Sequence, residues 1–489
     1  MSLFIITNEM KKIIKIIFVL GLLMPVSVQA QSVTWQKYYN YESGHDYAQD
    51  AIQTFDGGYL TVGYGRSSSV FIGAFLLKLD YLGNVQWKKF LGIPSENRMA
   101  YKVSQISDSG YIIVGESFNT FLIFKTNEKG EVIWDKRYSI DNSDASRGYS
   151  FAMTADNYII SCGIVYFYSI LEAYPFIVKT DMSGNLKWKK YFKDMTNITS
   201  FDIIAIENNE YIFCGSQYLR KIDSSGNVIS TNSYWSGSGF LSLRGLEYEK
   251  PNIIYCGGIS ELNGIGAFHL LKVNTNDSLY WSNRIENSEN IYASGRSICL
   301  QKESIYMTGT YNLKGVVPFV KVSTEGETQL YNLIPESQAV ESYAISINPA
   351  EDNGFIICGS TRFGIKPFPS YKYLIIKSDS NGYAPELVNV KNNTVNTELY
   401  VLYQNYPNPF NPVTTIEYHL QKQAFVTLTF FDVSGKRINE FANGLQYSGN
   451  YSFKFDGTNL PSGIYFYQLK IIEDGISKTI GIKKMFLIK

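Results

Sequence analysis

The stretch DGGYLTVG (residues 56–63) decides the fold of this chain, because variants of it return at regular intervals. Each copy joins a turn rich in Asp, Asn or Gly to an apolar strand that ends in glycine. The later copies are DSGYIIVG (108–115), DNYIISCG (156–163), NNEYIFCG (208–215), KPNIIYCG (250–257), KESIYMTG (302–309) and NGFIICG (353–359). Self-similarity at about fifty residues is typical of propellers and solenoids.

A second phrase follows the first in each repeat. Its clearest copies are AFLLKLDYLGNVQWKKF (74–90), TFLIFKTNEKGEVIWDKRY (120–138) and PFIVKTDMSGNLKWKKY (175–191). The phrase consists of two alternating strands around a turn whose glycine supplies a positive φ. With an apolar strand before each first phrase, every repeat holds four short strands. Four strands per repeat and seven copies predict an all-β chain in which residues 31–385 form a seven-bladed β-propeller.

The seventh repeat ends near Tyr383 without the last of its four strands. The segment SVTWQKYY (32–39), at the start of the mature chain, has the missing pattern. We therefore predict that residues 33–39 complete the seventh blade beside YLIIKSDSNG (373–382), which removes two open sheet edges. An open solenoid is the alternative, and there the two ends would share no strand. The recurring tryptophans predict apolar contacts between neighbouring blades; they are Trp87, Trp134, Trp188 and Trp281.

The N-terminus predicts export. Lys11 and Lys12 come just before an apolar run over residues 13–24, and Lys15 lies near its start. Val28-Gln29-Ala30 has the small residues of a cleavage site. Residues 1–30 therefore have the pattern of a signal peptide. A membrane anchor is the alternative, but the apolar run is short for one. The 44 basic and 44 acidic residues balance, and no basic run follows the signal. The composition therefore argues against a nucleic-acid partner.

The chain changes character after residue 385. Residues 386–398 are polar and aperiodic, as in a linker. A stiff lead-in follows, in which Pro407, Pro409 and Pro412 each force the preceding residue into an extended conformation. Three alternating runs come next, TTIEYHL (414–420), FVTLTFF (425–431) and YSFKF (451–455). Alternation with frequent turns predicts a small C-terminal immunoglobulin-like β-sandwich over residues 399–489.

The repeats of residues 31–385 resemble those of known propellers. The Asp-x-x-Gly-Asn-x-x-Trp phrase is similar to repeats of quinoprotein-type propellers and, more loosely, to the Asp-box of sialidases. The alternation of FLLKLDxxGNVxW with DGGYIVxG is closer to propeller repeats of large exported proteins of Bacteroidetes-like bacteria. That family implies a fold and an exported location, without an assigned function.

The tail resembles the C-terminal sorting domain of type A cargo of the type IX secretion system. The resemblance covers residues 399–489 through YPNPFNP (406–412), DVSGKRI (432–438), LPSGIYFYQL (460–469) and KKMFLIK (483–489), in the family's order. It implies a sorting motif made of Tyr406, Pro407, Asn408, Pro409, Phe410, Gly435 and Gly463. An ordinary immunoglobulin-like binding domain is the alternative.

The same resemblance implies partners and a destination. The implied partners are the type IX translocon and a sortase. The implied steps are export across the outer membrane, cleavage near the linker, and then attachment to surface lipopolysaccharide or release. The expected location is therefore extracellular or on the outer cell surface.

No catalytic motif stands out in the sequence, which has three histidines and no nucleophile elbow, Walker loop or zinc-ligand spacing. No cofactor or metal is expected. Four of the five cysteines precede the glycine of the first phrase and are predicted to be small buried apolar residues, namely Cys162, Cys214, Cys256 and Cys358.

One set of residues is a candidate ligand site. The first strand of each blade lines the channel of a propeller, and counting thirteen residues back from each repeat's final glycine gives Asp50, Lys102, Ser150, Asp202, Arg244 and Arg296. The charged members of this set are candidate ligand-binding residues, namely Asp50, Lys102, Asp202, Arg244 and Arg296. Mutual pairing of these charges, or pairing with channel water, is the alternative.

The sequence therefore favours a secreted or surface-attached protein, expected as a monomer, that binds a glycan or a protein. Two alternatives stay open. One is a hydrolase or lyase acting on extracellular polysaccharide, which would be indicated by a sunken pocket with two carboxylates. The other is a structural spacer of the cell envelope without a ligand.

Overall fold

Residue contacts divide the chain into two compact units, residues 1–388 and 389–489. The structure is a computed structural model, and it describes residues 33–41, 45–66, 72–92, 96–140, 142–198, 201–235, 239–287, 291–311, 315–335, 340–363, 370–385, 400–405, 407–420, 423–447, 449–473 and 476–489. The predicted signal peptide (1–30), the predicted linker (386–398) and Tyr406 lie outside the described residues.

The first unit is built from short β-strands. In the described part of the chain the one helix is a 3₁₀ turn, Glu207–Asn209. The strands are β1 (Trp35–Tyr39), β2 (Asp46–Gln53), β3 (Tyr59–Arg66), β4 (Ile72–Leu79), β5 (Val85–Leu91), β6 (Arg98–Gln105), β7 (Tyr111–Ser117), β8 (Thr120–Thr126), β9 (Val132–Tyr138), β10 (Ala145–Met153), β11 (Tyr158–Phe167), β12 (Glu172–Asp181), β13 (Leu186–Tyr191), β14 (Asp202–Ala205), β15 (Tyr211–Gly215), β16 (Tyr218–Ile222), β17 (Val228–Ser233), β18 (Phe240–Glu249), β19 (Ile253–Leu262), β20 (Ile265–Asn274), β21 (Leu279–Ile285), β22 (Ala293–Gln301), β23 (Ser304–Tyr311), β24 (Val316–Ser323), β25 (Thr328–Pro335), β26 (Glu341–Pro349), β27 (Phe355–Phe363) and β28 (Ser370–Ser378).

These strands form repeated antiparallel four-stranded sheets, as the sequence predicts. Among the described residues, β2–β5, β6–β9, β10–β13, β14–β17 and β18–β21 are separate sheets whose strands pair in chain order. Strands β22–β25 and β26–β28 share one larger sheet, joined by the pairing of Thr310 with Tyr343. The chain is therefore all-β with a repeating four-stranded unit, and each repeat is numbered below in chain order.

Burial follows the position of a strand within its repeat. The second and third strands, such as β3 and β4, are apolar almost throughout and buried on both faces. The fourth strand, such as β5, is partly exposed and carries Lys and Gln beside its tryptophan. Neighbouring repeats therefore pack through the middle strands, where a continuous apolar run has no exposed face to solvate.

The tryptophans lie at the contacts between neighbouring repeats, as predicted. In the fourth strand of its repeat, Trp188 donates its indole N–H to the carbonyl of Ser224, 3.0 Å away in the turn of the next repeat. Trp281 makes the same bond to Thr324 at 3.2 Å. Each ring also covers the glycine of that turn. The repeating contact is an apolar cap with one fixed hydrogen bond.

Strand β1 sits between the last repeat and the first. It pairs antiparallel with β28, with Trp35 opposite Lys377 and Tyr39 opposite Tyr373. Trp35 donates to the carbonyl of Tyr81 in the first repeat at 3.1 Å, and its ring covers Gly83. The first strand of the chain thus makes the same contact to repeat one that the fourth strands of other repeats make to their successors.

The turn glycines should be sensitive to any side chain, and Gly130 tests this. Gly130 has a φ of +74°, and a Cβ at this position would lie 2.7 Å from the ring of Trp87. Gly264 has a similar φ of +78° but open space around a Cβ. We expect Gly264→Ala to cost about 1–2 kcal/mol through φ alone, and Gly130→Ala to cost about 1–3 kcal/mol more through the clash. Chemical denaturation of both variants measures the loss in free energy of unfolding. Equal losses would contradict close packing of the tryptophan ring on the turn glycine.

The second unit comprises two antiparallel sheets. Its strands are β29 (Tyr400–Leu402), β30 (Val413–Leu420), β31 (Ala424–Asp432), β32 (Arg437–Gln446), β33 (Gly449–Asp456), β34 (Gly463–Glu473) and β35 (Ile476–Leu487). The sheet orders are β29-β30-β33 and β32-β31-β34-β35. Ile416, Tyr418 and Leu420 point into one apolar core with Leu428 and Leu469 of the other sheet. The apolar residues of the alternating run TTIEYHL (414–420) therefore lie on the buried face of β30, as their alternation indicates.

Candidate functional site

The first strands of the repeats line a cavity of about 420 Å³ in the first unit. This size lies within the range of small-molecule sites, roughly 300–1,000 Å³. All five charged residues counted from the sequence lie in its wall, together with Ser150. The count along the sequence therefore selected residues that the fold also places in one cavity wall. It did not show which of them lie at the same level of that wall.

Strand register sorts the lining residues into layers. In the first repeat, Ala48 pairs with Gly63 and Asp50 with Val62, so that Gln49 bulges out of register. The corresponding residues of all repeats are here named the first layer, and all lie at such a bulge except Phe201, which directly precedes β14. They are Gln49, Tyr101, Tyr149, Phe201, Arg244, Arg296 and Ile345. The residues that follow them, the second layer, are Asp50, Lys102, Ser150, Asp202, Gly245, Ser297 and Ser346.

The thirteen-residue count mixed these two layers. It assumed a constant distance from the glycine, but in repeat five Leu243 pairs with Gly258 instead of Gly257. In repeat six the hairpin between β22 and β23 is short, with Gln301 opposite Ser304. Arg244 and Arg296 therefore belong to the first layer, whereas the other counted residues belong to the second.

Asp50 holds three repeats together. One carboxylate oxygen accepts hydrogen bonds from Ser346 Oγ at 2.6 Å and Asn348 Nδ2 at 3.1 Å, both in repeat seven. The other oxygen accepts from the backbone N–H of Val103, 3.1 Å away in repeat two. Lys102 Nζ lies 3.8 Å from the same oxygen. A carboxylate that is 1% exposed and has this many donors is a structural link between repeats.

Asp202 makes the equivalent link in the fourth repeat. One oxygen accepts from Ser150 Oγ at 2.5 Å in repeat three, and from the N–H of Ile203 at 3.0 Å. The other accepts from the N–H of Leu246 at 2.8 Å in repeat five. Burial raises the pKa of Asp202, and Lys102 opposes that shift. The lone pairs of this carboxylate are largely occupied by the protein itself.

Glu247 belongs to a third layer, two residues beyond Gly245 on the same strand face. Burial and the nearby charge of Asp202 raise its pKa to about 8, so the group is largely protonated at neutral pH. Asp50 raises the pKa of Lys102, outweighing the effect of burial. The sequence count missed Glu247, although the i, i+2 spacing of a strand could have found it.

The arginine pair, Arg244 and Arg296, differs from the other charges of the cavity. Neither forms a salt bridge with any residue that the structure describes. Nη1 of Arg244 is buried without a hydrogen-bond partner in the same residues, and Nε lies 3.5 Å from Ser242 Oγ. Burial and the charge of Arg296 lower the pKa of Arg244 to about 10, and the surrounding walls also lower the pKa of Arg296.

Three aromatic side chains follow one another in the first layer, in repeats two to four. This aromatic arc consists of Tyr101, Tyr149 and Phe201, with ring centroids 5.4 Å and 6.1 Å apart in succession. The guanidinium of Arg244 lies over the ring of Phe201, 5.4 Å from its centroid. The first layer thus places an aromatic surface directly beside two cations.

Other chemistry-bearing residues lie elsewhere. His269 is buried between Ser260 Oγ at 3.1 Å and Ser282 Oγ at 2.8 Å, and burial lowers its pKa to about 4. All five cysteines are buried and unbridged. The described residues contain no cluster of His, Cys, Asp and Glu suited to a metal ion. No helix in the described part of the chain has the length and hydropathy to span a bilayer.

The proline-rich lead-in of the second unit is fixed to the end of the chain. Asn408 Oδ1 accepts the N–H of Phe486 at 2.8 Å, and Phe410 is buried, with its own N–H donating to the carbonyl of Phe486 at 2.9 Å. Asn405 is 2% exposed and donates to Thr414 Oγ1 at 3.0 Å. These side chains stabilise the fold of the tail, which limits the residues left for recognition.

The remaining sorting residues divide into exposed and turn positions. Pro407 and Pro409 are exposed. Gly435 has a φ of +80° in the turn after β31, where Asp432 accepts the N–H groups of Ser434 and Lys436. Gly463 has open space where a Cβ would lie and no positive φ. Gly435 therefore serves the turn, while the structure gives no steric reason for glycine at position 463.

Residues 404–483 match the sequence family described as the secretion system C-terminal sorting domain. The match identifies a type IX secretion sorting tail, which indicates export to the cell surface or the extracellular space and an interaction with the type IX machinery. No curated protein sequence matches the chain.

Several solved structures are similar at low identity. PorZ, a surface component of the type IX secretion system of Porphyromonas gingivalis, is 14% identical with a TM-score of 0.41, covering 88% of this chain and 58% of PorZ. The extracellular domain of a hybrid two component system from B. thetaiotaomicron is 11% identical with a TM-score of 0.45, covering 92% and 59%. The β-propeller domain of the Trilobed protease from Pyrococcus furiosus is 8% identical with a TM-score of 0.43, covering 71% and 100%.

Proposed function

We propose that residues 31–385 form a closed seven-bladed β-propeller that binds a glycan or protein ligand outside the cell. The pairing of β1 with β28 supports closure, as does the contact of Trp35 with the turn of repeat one. A ring closed in this way has no free sheet edge between its first and last repeats. Residues 1–30 act as the signal peptide in this proposal, and the mature protein is a monomer.

The tail, residues 399–489, is proposed to be a type A sorting domain with an immunoglobulin-like sandwich fold. Its two sheets share one core, which supports the sandwich. A sortase would cleave within or near residues 386–398, and the propeller would then be attached to surface lipopolysaccharide or released. The tail itself has no catalytic role.

The observation that carries the binding function is the cavity, in which Nη1 of Arg244 is buried without a hydrogen-bond partner among the described residues, beside aromatic side chains. A buried charge without a partner is costly in a purely structural element, because its desolvation is not offset. A ligand that supplies the missing acceptor offsets that cost. A structural spacer without a ligand gives no reason to keep such a group.

A second candidate is a hydrolase or lyase acting on extracellular polysaccharide. It is favoured by Glu247, whose pKa of about 8 suits a general acid at neutral pH. The nearest candidate for a base is Asp202, and its oxygens already accept hydrogen bonds from Ser150, Ile203 and Leu246. That occupancy weakens the catalytic pair, and binding is the better supported function.

A screen of the purified mature chain separates these functions. The protein is applied to a glycan array and mixed with extracellular polysaccharides, and both depletion and new reducing ends are measured. We expect binding without new reducing ends, lost in an Arg244→Met/Arg296→Met double variant. New reducing ends that disappear in Glu247→Gln would overturn the binding function and make the protein an enzyme. Absence of any bound glycan or protein would leave the spacer.

A further inference from the structure

The charges of the cavity are distributed unevenly between its layers. Every acidic residue of the wall lies in the second or third layer, namely Asp50, Asp202 and Glu247. The first layer contains only the arginine pair as charged groups. The wall holds three basic side chains, Lys102, Arg244 and Arg296, and burial together with the charge of Asp202 raises the pKa of Glu247 to about 8. The first layer therefore carries two positive charges and no acidic side chain.

The charged residues of the first and second layers also differ in their hydrogen bonds. The aspartates are occupied by protein donors, and Lys102 lies against Asp50 at 3.8 Å. The arginine pair forms no salt bridge with a described residue, and Nη1 of Arg244 is buried without a hydrogen-bond partner among them. A planar guanidinium fork matches a carboxylate in a bidentate manner, and two forks can hold both of its oxygens.

The aromatic arc narrows the class of anion further. It occupies repeats two to four of the first layer, and the arginine pair occupies repeats five and six. A ligand in this layer thus meets aromatic side chains in repeats two to four and positive charge in repeats five and six. Sugar rings pack their apolar C–H faces on aromatic rings, whereas a small inorganic anion makes no use of that surface.

We propose that the cavity binds an acidic sugar, with its carboxylate on the arginine pair and its ring face on the aromatic arc. This inference rests on the proposed binding function and names the chemistry of the ligand. The carboxylate supplies the acceptor that Nη1 of Arg244 lacks. It also separates the two positive charges of the arginine pair, whose repulsion is relieved when a negative charge lies between them.

Isothermal titration calorimetry on the mature chain tests the inference with trigalacturonate as the probe. Its fully methyl-esterified form is the matched neutral sugar, and acetate and inorganic phosphate are anions without a sugar ring. We expect trigalacturonate to bind at least about tenfold more tightly than the ester, because the ester leaves the arginine pair unpaired. Acetate and phosphate should bind much more weakly, since they do not contact the aromatic arc.

Variants assign the binding to the two groups of residues. Arg244→Met and Arg296→Met should each weaken trigalacturonate by about tenfold or more while leaving the ester nearly unchanged. Tyr149→Leu should weaken both sugars by a similar factor. Arg437→Met removes the same group from an exposed position of the tail and should change neither. Melting curves confirm that each variant is folded.

Each other outcome overturns the inference in a recognisable way. Equal binding of acid and ester would overturn the role of the arginine pair, while the proposed binding function would stand. Phosphate binding as tightly as trigalacturonate would indicate a plain anion site without a sugar. If no acidic sugar binds while the wider screen finds another ligand, the class of ligand is wrong and the binding function survives. If neither experiment finds a ligand, both proposals fail.

Discussion

Removal of residues 399–489 is expected to leave the mature protein in the periplasm, with the extracellular and surface-bound fractions falling to background. Residues 404–483 match the sorting domain, so the truncation removes the segment that addresses the chain to the type IX machinery. The contacts of the chain form two separate compact units, and the first should therefore fold without the second. Immunoblots of medium, outer membrane and periplasm measure the result.

Two point variants separate recognition from folding in this experiment. Phe410 is buried in the core of the tail, and Pro407 in the same motif is exposed. Phe410→Ala should unfold the lead-in and reduce export much as the truncation does. Pro407→Ala should leave the tail folded, so any loss of export there reports recognition. A truncated chain that still reached the medium would contradict the sorting function of the tail.

Deletion of residues 32–39 should strongly destabilise the first unit. It uncovers the edge of β28 and removes the contact of Trp35 with repeat one. It also removes the amide of Gln36, which donates to the carbonyls of Pro335 at 3.1 Å and Ala384 at 3.3 Å. Trp35→Ala alone should cost about 3–5 kcal/mol, as for other buried large aromatic side chains.

Thermal unfolding followed by circular dichroism and calorimetry measures the effect of this deletion. Val33→Ala is the matched control, because Val33 lies beside β1 and is 40% exposed. It should leave the melting temperature nearly unchanged. If the deletion also left it unchanged, β1 would be dispensable and a closed ring would be wrong.

The repeating strands could be predicted because their determinants are local. Alternation, turn residues and the glycine at the end of each second strand lie within short stretches such as residues 56–63. The turns are local as well, since Asp80 accepts the N–H groups of Leu82 and Asn84 at 2.9 Å and 2.8 Å. Nothing outside the turn is needed to explain these bonds.

The layer of the cavity wall to which each residue belongs could not be predicted in the same way. They depend on where each first strand bulges and how long its hairpin is, and both differ in repeats five and six. A count along the chain therefore found the correct wall but placed Arg244 and Arg296 beside the wrong neighbours. That the two guanidinium groups lack partners depends on side chains from several repeats, which no single stretch of sequence contains.

Another recurring contact was visible in the sequence but not recognised. Lys78, just before a turn, is buried and forms an ion pair with the more exposed Asp56 at 2.8 Å, and Lys377 does the same with Asp352 at 2.8 Å. Asp56 and both lysines lie in the quoted phrases of their repeats, and Asp352 directly precedes the phrase NGFIICG (353–359). A lysine that recurs in an apolar strand opposite a recurring acidic turn residue is the signal that indicates such a pair.

The position of β1 has a consequence for the time course of biosynthesis. Gln36 bonds to Ala384, 348 residues further along the chain. At a synthesis rate of about 5–20 residues per second, β1 exists for roughly 20–70 s before its partners are made. Through that interval Trp35 can contact the turn of repeat one, but the edge of β1 that pairs with β28 has no native partner. Contacts this distant in sequence slow the final folding step. β1 is thus made long before the strand with which it pairs, and this sheet is completed only when almost all of the first unit has been made.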